Sequence, residues 1–257
     1  MLIALTRDVS PTIVECELTH LARAPIDVEL ARAQHRAYER ALADAGCTIV
    51  QVDAAPALPD AVFIEDAAVV FDEVAIVTRP GAASRRAETT AVAAAVGRYR
   101  PLRFIEPPAT IDGGDVLTVG RDVFVGVSSR TNAAAVGQMR VILEPHGYRV
   151  RAVSVTGCLH LKSAATALAD DRLLLNAEWA ARGQFEPFAL VDVDPLEPAA
   201  ANIVRAGRAL VYPDAFPRTR ERLERAGIPV RTVDVSELAK AEGAVTCCSL
   251  VFSGTLK

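Results

Sequence analysis

The chain has 257 residues, of which 51% are hydrophobic and 23% charged, and its formal net charge is −4 at pH 7. This composition supplies enough apolar side chains for a folded core and excludes an intrinsically disordered chain. The mild acidity argues against nucleic-acid binding, which needs a basic face, and no apolar run is long enough to predict a membrane span.

The first residues enter a strand-like pattern, and their apolar part is too short for a signal-peptide core, so we expect a cytoplasmic protein. Three lysines stand against 25 arginines, and alanine is abundant, which indicates the coding bias of a GC-rich, bacterial genome. The five cysteines are an odd number at spacings that match no disulfide framework, so we expect free thiols.

Predicted helices and strands alternate along the whole chain. The clearest helix runs over 26–45, because Asp27 suits its N-cap region, apolar side chains recur on one face, and Gly46 ends it. Further helices are predicted at 83–97, 131–146 and 217–226. Short apolar runs predict strands at 74–78, 116–119, 123–127, 173–175 and 210–212.

A weak internal repeat is the most informative feature of this pattern. Polar residues stand beside short apolar strands at steps of 46, 48, 42 and 45 residues: Asp66, Asp112, His160, Asn202 and Cys247. Repeated units that cannot bury their own faces must pack on one another, and five α/β units closed into a ring would bring these residues to one central channel. Because any α/β protein has strands at similar intervals, the spacing alone leaves an ordinary α/β fold open.

The candidates for acid–base and nucleophilic chemistry are few. His160 stands alone among apolar neighbours at a predicted strand start, which makes it the best general acid or base, with a hydrogen-bonded core histidine as the alternative. Cys247 and Cys248 read as residues of an alternating strand, whose side chains point to opposite faces, so only one thiol can face a given site. A nucleophilic cysteine also needs a nearby base and a lowered pKa.

Acids form two clusters. Glu65 and Asp66 are consecutive inside an apolar run, where burying two carboxylates is costly unless a cation compensates; a strand-edge pair in water is the alternative. Asp112 and Asp115 bracket two glycines, which permit close backbone approach but lack the signature of a phosphate loop.

Cysteine, histidine and several carboxylates together suggest a thiolate that attacks a cationic substrate. The cysteine and histidine spacings do not match a structural zinc site. We therefore predict no metal and no cofactor, with adventitious metal capture by a Cys–His pair left open.

Six motifs occur in a family-like order: PDAVFIED at 59–66, PGAASRRAE at 80–88, TIDGGD at 110–115, RTN at 130–132, LHLK at 159–162 and TCCS at 246–249. Together they resemble the dimethylarginine dimethylaminohydrolases of the guanidino-modifying (pentein) superfamily. The resemblance covers the chain from about Leu18 to Leu250.

The resemblance implies a fold and a catalytic set. The fold is a five-bladed α/β propeller of ββαβ-type repeats around a central channel, with residues 1–257 as a single catalytic domain. Cys247 matches the family's nucleophile, His160 the catalytic histidine and Asp112 the acid that supports it, whereas Cys248 matches a variable position.

The resemblance also implies a pocket for a free amino acid. Asp60 matches the acid that meets the α-amino group, and Leu18 and Ala241 match positions whose backbone carbonyls contribute to the same subsite. Arg85 and Arg130 match the pair that holds the α-carboxylate.

At the other end of that pocket, Glu65 and Asp66 match the acids that receive the guanidinium, and Phe63 should wall the slot. The implied reaction converts asymmetric dimethylarginine or monomethylarginine to citrulline and dimethylamine or methylamine through a covalent Cys thiouronium.

Alternative activities remain. An arginine deiminase is typically longer because of an inserted helical domain, and another guanidino-compound hydrolase would use the same residues. A non-catalytic propeller would bind a partner instead, although retention of the whole catalytic set speaks against it. The predicted partner is a small-molecule substrate, with no nucleic acid and no membrane, and a homodimer is left open.

Overall fold

The structure is a computed structural model and describes residues 1–255. Within these residues the strands form five three-stranded sheets. In each sheet the first and middle strands are antiparallel, and the third is parallel to the middle one. The sheets are β15-β1-β2, β3-β4-β5, β6-β7-β8, β9-β10-β11 and β12-β13-β14, built from β1 Leu2–Thr6, β2 Cys47–Gln51, β3 Ala68–Val70, β4 Ala75–Val77, β5 Leu102–Phe104, β6 Val116–Val119, β7 Asp122–Val127, β8 Arg149–Ser154, β9 Ala165–Ala169, β10 Arg172–Leu175, β11 Ala189–Asp192, β12 Val204–Ala206, β13 Ala209–Pro213, β14 Arg231–Val233 and β15 Leu250–Ser253.

The helices lie mostly between the middle and third strands of the sheets. They are α1 Val28–Asp44, α2 Thr89–Val96, α3 Ala133–Leu143, α4 Leu161–Ala164, α5 Pro217–Arg225 and α6 Ser236–Ala239. The predicted cap of the first helix is confirmed: Asp27 accepts the Leu30 N–H at 3.0 Å, and Gly46 follows at φ +94°. Among residues 1–255, no helix is both long and apolar enough to cross a membrane.

Two predicted helices are composite. The segment predicted as one helix over 83–97 begins with a 3₁₀ turn at Ala83–Glu88 before α2, and α3 is followed by a 3₁₀ turn at Glu144–His146. At these helix ends the backbone changes from α-helical to 3₁₀ hydrogen bonding. Hydrophobic periodicity does not distinguish the two kinds of turn. The five predicted strands are all present, with bounds that differ by at most a residue or two.

The five sheets are arranged as the predicted five-bladed α/β propeller. The first strands of the five sheets, in the orders given above, are β15, β3, β6, β9 and β12. First strands of neighbouring sheets contact each other: β15 contacts β3, β6 contacts β9, and β9 contacts β12. All five first strands line a central channel with a cavity of about 210 Å³. The five polar residues of the repeat each lie shortly before one of these first strands, which confirms the predicted ring. The assignment of residues 1–257 to one catalytic domain stays a prediction.

Two local predictions are wrong. His160 does not start a strand, because it is the residue before the one-turn helix α4, and β9 begins only at Ala165. Cys247 and Cys248 lie in a turn, three and two residues before β15 begins at Leu250. In both places a turn that precedes the strand carries the polar residue, and alternation of apolar residues does not distinguish such a turn from an extended strand end.

Candidate active site

His160 is held between two carboxylates at one end of the channel. Its Nε2 lies 3.1 Å from Oδ2 of Asp112, and its Nδ1 lies 3.9 Å from Oδ1 of Asp66. The other oxygen of Asp112 accepts the Gly81 N–H at 2.8 Å. Because Asp112 is fully buried and bonded through both oxygens, it fixes the orientation of the imidazole.

The same carboxylates set the protonation of His160. Burial acts to lower the pKa of the imidazole, but the negative charges of Asp66, Asp112 and Asp115 outweigh it and raise the pKa to about 9. His160 is therefore a cationic acid at neutral pH.

Cys247 lies in the turn that precedes β15. Its Sγ accepts the Ala244 N–H at 3.4 Å, whereas the Sγ of Cys248 donates to the Ala244 carbonyl from the buried side of the turn. The two thiols thus face different surroundings, as predicted, although they diverge from a turn and not from an alternating strand. Burial, with the nearby charges of Glu65 and Asp66, raises the pKa of the Cys247 thiol to about 12.

The consecutive acids diverge from a 3₁₀ turn at Ile64–Ala67. Glu65 turns to the central channel, where it accepts from Lys162 Nζ at 2.7 Å and from the Thr246 hydroxyl at 2.8 Å. Asp66 turns to the histidine, and accepts from Arg85 at 2.6 Å and from the Gly114 N–H at 2.9 Å. Each buried carboxylate thus has the cation that its burial requires.

These different environments shift the pKa values of the two acids in opposite directions. Burial raises the pKa of Glu65 despite Lys162. Burial also opposes ionisation of Asp66, but the charges of His160 and Arg85 prevail and lower the pKa of Asp66 to about 2. Asp66 is therefore a permanent anion beside the imidazolium.

The two predicted substrate arginines are both buried. Arg85 donates to both oxygens of Glu88, at 3.1 and 2.9 Å, besides its contact with Asp66. Its remaining contacts are backbone carbonyls, so this guanidinium is held rigidly by the protein. Arg130 is less constrained, and donates to the Thr19 hydroxyl at 2.8 Å.

Asp60 anchors the other end of the site. Its Oδ2 accepts the Glu17 N–H at 3.1 Å, which ties the segment that contains Leu18 to the pocket. Burial raises the pKa of the Asp60 carboxyl, partly offset by Arg85. Ala241 is buried beside this end, and Leu18 is half-buried.

One small cavity, of about 20 Å³, unites most of the predicted residues. Eight of them line it: Asp60, Phe63, Asp66, Arg85, Arg130, His160, Ala241 and Cys247. Asp112 supports His160 from behind, and Glu65 faces the channel instead. Two glycines make this packing possible, because a Cβ at 114 would lie 2.6 Å from His160 Nδ1 and one at 243 would lie 2.1 Å from the Phe63 ring.

A cation could approach one set of donors here, since ligand atoms of Asp66, Asp112 and His160 lie within 4.8 Å of one another. Asp66 already accepts from Arg85 and the Gly114 N–H. The arrangement is therefore an ion-pair network rather than an open coordination shell.

The sequence analysis assigns no role in the site to four residues that hold it together. Glu88 binds Arg85, Lys162 binds Glu65, and Asp115 accepts from two hydroxyls and the Leu161 N–H. Glu242 binds three backbone N–H groups of residues 19–21. Glu88, Asp115 and Lys162 lie inside the six motifs, so their sequence positions could have indicated a role in the site. Glu242 lies outside all six motifs.

No protein-family model matches this chain. It is 43% identical over 249 residues to the N(G),N(G)-dimethylarginine dimethylaminohydrolase of Streptomyces coelicolor, covering 96% of this chain and 95% of that protein. The chain belongs to the dimethylarginine dimethylaminohydrolase family. The enzyme of the same name from Pseudomonas aeruginosa is 38% identical over 91% of this chain and 92% of its own. A solved structure of the Pseudomonas protein, a cysteine-to-serine variant complexed with citrulline, has a TM-score of 0.92 and covers 97% of this chain and 98% of its own, at 36% identity.

Proposed function

We propose that this protein hydrolyses N-methylated arginine to citrulline and an alkylamine, with Cys247 as nucleophile and His160 as acid and base. One observation carries the proposal: Cys247, the His160 imidazolium, Asp66 and two buried arginines line a single cavity. This set offers a nucleophile, a proton donor and anchors for both charged ends of an amino acid with a cationic side chain. Family membership and the citrulline complex of the Pseudomonas relative point to the same substrate class.

Substrate binding pairs each charged group of the substrate with an opposite charge in the pocket. The guanidinium binds between Asp66 and the Phe63 ring, near Glu65, and the charged hydrogen bonds hold its carbon toward Cys247. Arg130 and Arg85 receive the α-carboxylate, and Asp60 receives the α-amino group. A cationic side chain gains charge-assisted hydrogen bonds to Asp66 that a neutral side chain cannot make, so this end of the pocket favours cationic substrates.

The bound substrate also activates the nucleophile. In the free protein the thiol of Cys247 has a pKa of about 12, so it is neutral at physiological pH. A guanidinium placed against Sγ supplies the positive charge that favours the thiolate, and the thiol proton leaves to solvent. The thiolate then attacks the guanidinium carbon.

His160 completes both halves of the reaction. As an imidazolium it protonates the departing methylamine or dimethylamine, whose C–N bond breaks, and a thiouronium remains on Cys247. The now neutral imidazole takes a proton from water as its oxygen attacks the same carbon. When that adduct collapses, the C–S bond breaks and the hydroxyl proton passes to the departing sulfur, so citrulline is released and the neutral thiol of Cys247 is restored.

The test is a side-by-side turnover measurement on asymmetric dimethylarginine, monomethylarginine and arginine, with citrulline and the released amine both quantified. We expect citrulline and alkylamine in equal amounts from the methylated substrates, none from Cys247→Ser, and sustained turnover in the matched Cys248→Ser variant. Citrulline with ammonia from arginine alone would instead identify an arginine deiminase.

We also propose that the protein works in the cytoplasm. All five cysteines are free thiols, as expected in a reducing compartment. Cell fractionation of the source organism tests this, and recovery in a secreted fraction would contradict it. The sequence leaves a homodimer open, and light scattering of the purified protein tests it.

A further inference from the structure

Glu242 occupies an unusual position next to the site. It is a non-glycine residue at φ +58°, a conformation that side chains with a Cβ rarely adopt. Its carboxylate accepts the N–H groups of three consecutive residues: Thr19 at 3.0 Å, His20 at 2.5 Å and Leu21 at 2.6 Å. Strained backbone of this kind persists where the surrounding structure imposes it, and it concentrates at ligand clamps and switches.

The segment that Glu242 binds, residues 17–21, is called the lid loop below. The loop is exposed apart from the half-buried Leu18, and polar contacts tie it down across the cavity. Ser84 Oγ donates to Glu17 at 2.5 Å, and Arg130 donates to the Thr19 hydroxyl at 2.8 Å. Asp60 also accepts the Glu17 N–H, so the loop rests on residues from four other parts of the chain.

With the lid loop in this position the cavity is too small for a substrate. About 20 Å³ of free volume holds roughly one water molecule. An amino acid with an alkylated guanidinium therefore needs the loop to move away and return. The contacts to Glu242 must break on entry and re-form over the bound molecule.

We propose that Glu242 is the latch of the lid loop and a positioning residue for the α-amino end of the substrate. Leu18 immediately precedes Thr19, and Ala241 immediately precedes Glu242, so the latch joins the two positions whose carbonyls are proposed to meet the α-amino group. Closing the latch assembles that subsite. The positioning role rests on the proposed function, which supplies the substrate. The movement of the loop does not depend on it.

The movement is tested without turnover, by alkylation of Cys247. Glu242→Ala removes the carboxylate and keeps the Cβ, so the backbone at φ +58° is no more strained than before. We expect iodoacetamide to modify Cys247, identified by peptide mass spectrometry, at least threefold faster in this variant than in the wild type. An unchanged rate, with an unchanged Tm, would overturn the latch.

The positioning role is tested with two substrates. For dimethylarginine we expect Glu242→Ala to raise KM about 10- to 100-fold, the loss typical of charged hydrogen bonds, and to change kcat by less than about threefold. For the analogue that lacks only the α-amino group, 5-(dimethylguanidino)pentanoate, KM should change by less than about threefold. Equal losses for both substrates would overturn the positioning role, because a merely structural defect would affect both alike.

Two further variants complete the design. Glu242→Gln keeps an oxygen acceptor without the charge and should fall between the wild type and Glu242→Ala in both measurements. Glu221→Ala removes an exposed glutamate of α5 and should match the wild type. If the wild type forms no citrulline, the proposed function fails, whereas the alkylation rates still decide whether Glu242 closes the loop.

Discussion

The backbone of Gly114 lies directly against the imidazole of His160. A Cβ at position 114 would stand 2.6 Å from Nδ1 of His160 and 3.0 Å from Oδ1 of Asp66. The glycine is therefore what allows an acid-bearing turn and the histidine to share one space.

Gly114→Ala tests this relationship. The new methyl group must displace the imidazole or the 3₁₀ turn, and a displacement of about 1 Å is expected to lower kcat about 100-fold. The matched control is Gly137→Ala on α3, where a Cβ meets nothing within 4 Å, and it should raise unfolding stability by up to about 1 kcal/mol with normal turnover. Steady-state kinetics and urea unfolding measure both; unimpaired kcat in Gly114→Ala would contradict the account.

Asp112→Asn tests the orientation and charge of His160. Asp112 is one of three carboxylates that raise the pKa of His160 to about 9 against the effect of burial, so its removal should lower that pKa. NMR titration of the His160 ring should show the shift, and kcat should fall about 100-fold because the imidazole loses the carboxylate that orients it and helps to hold its proton. Asp122→Asn, which alters a carboxylate that pairs with Arg149 and Arg151, should leave the titration of His160 unchanged.

The raised pKa of His160 also predicts how stability depends on pH. The folded protein binds the imidazole proton up to pH 9, whereas the unfolded chain releases it near 6.5, so this group's contribution is complete below about 6.5. It should be lost progressively as pH rises through about 9. We expect the difference in unfolding free energy between the wild type and His160→Gln to shrink over this interval, as measured by urea unfolding at each pH; a difference that grows would refute the assignment.

Lys162→Met should leave the buried Glu65 carboxylate without its cation. Removing one partner of a buried ion pair typically costs about 3 kcal/mol or more, so urea unfolding should show a loss of that size at pH 7. The double variant Lys162→Met/Glu65→Gln removes the stranded charge and should recover most of the loss. A single variant as stable as the wild type would show that the pair does not neutralise Glu65.

Much of the fold followed from the sequence because its signals are local or repetitive. The cap at Asp27, the glycine after α1 and the spacing from Asp66 to Cys247 depend only on neighbouring residues or on repeated units, so they were readable without coordinates. Six ordered motifs likewise indicated Cys247, His160 and Asp112. The pattern predicts strand at His160 and Cys247, where the structure has turns, because apolar alternation continues across a turn that ends at a strand.

Only the tertiary structure decided the partners of the charged groups. Glu65 and Asp66 are adjacent in sequence, yet one pairs with Lys162 in the channel and the other with Arg85 beside His160. The contact of Glu242 with the lid loop spans more than 200 residues of chain and leaves no local pattern. Hydrophobic periodicity records which face of an element is buried, whereas the partner of a buried charge depends on which elements the closed ring brings together.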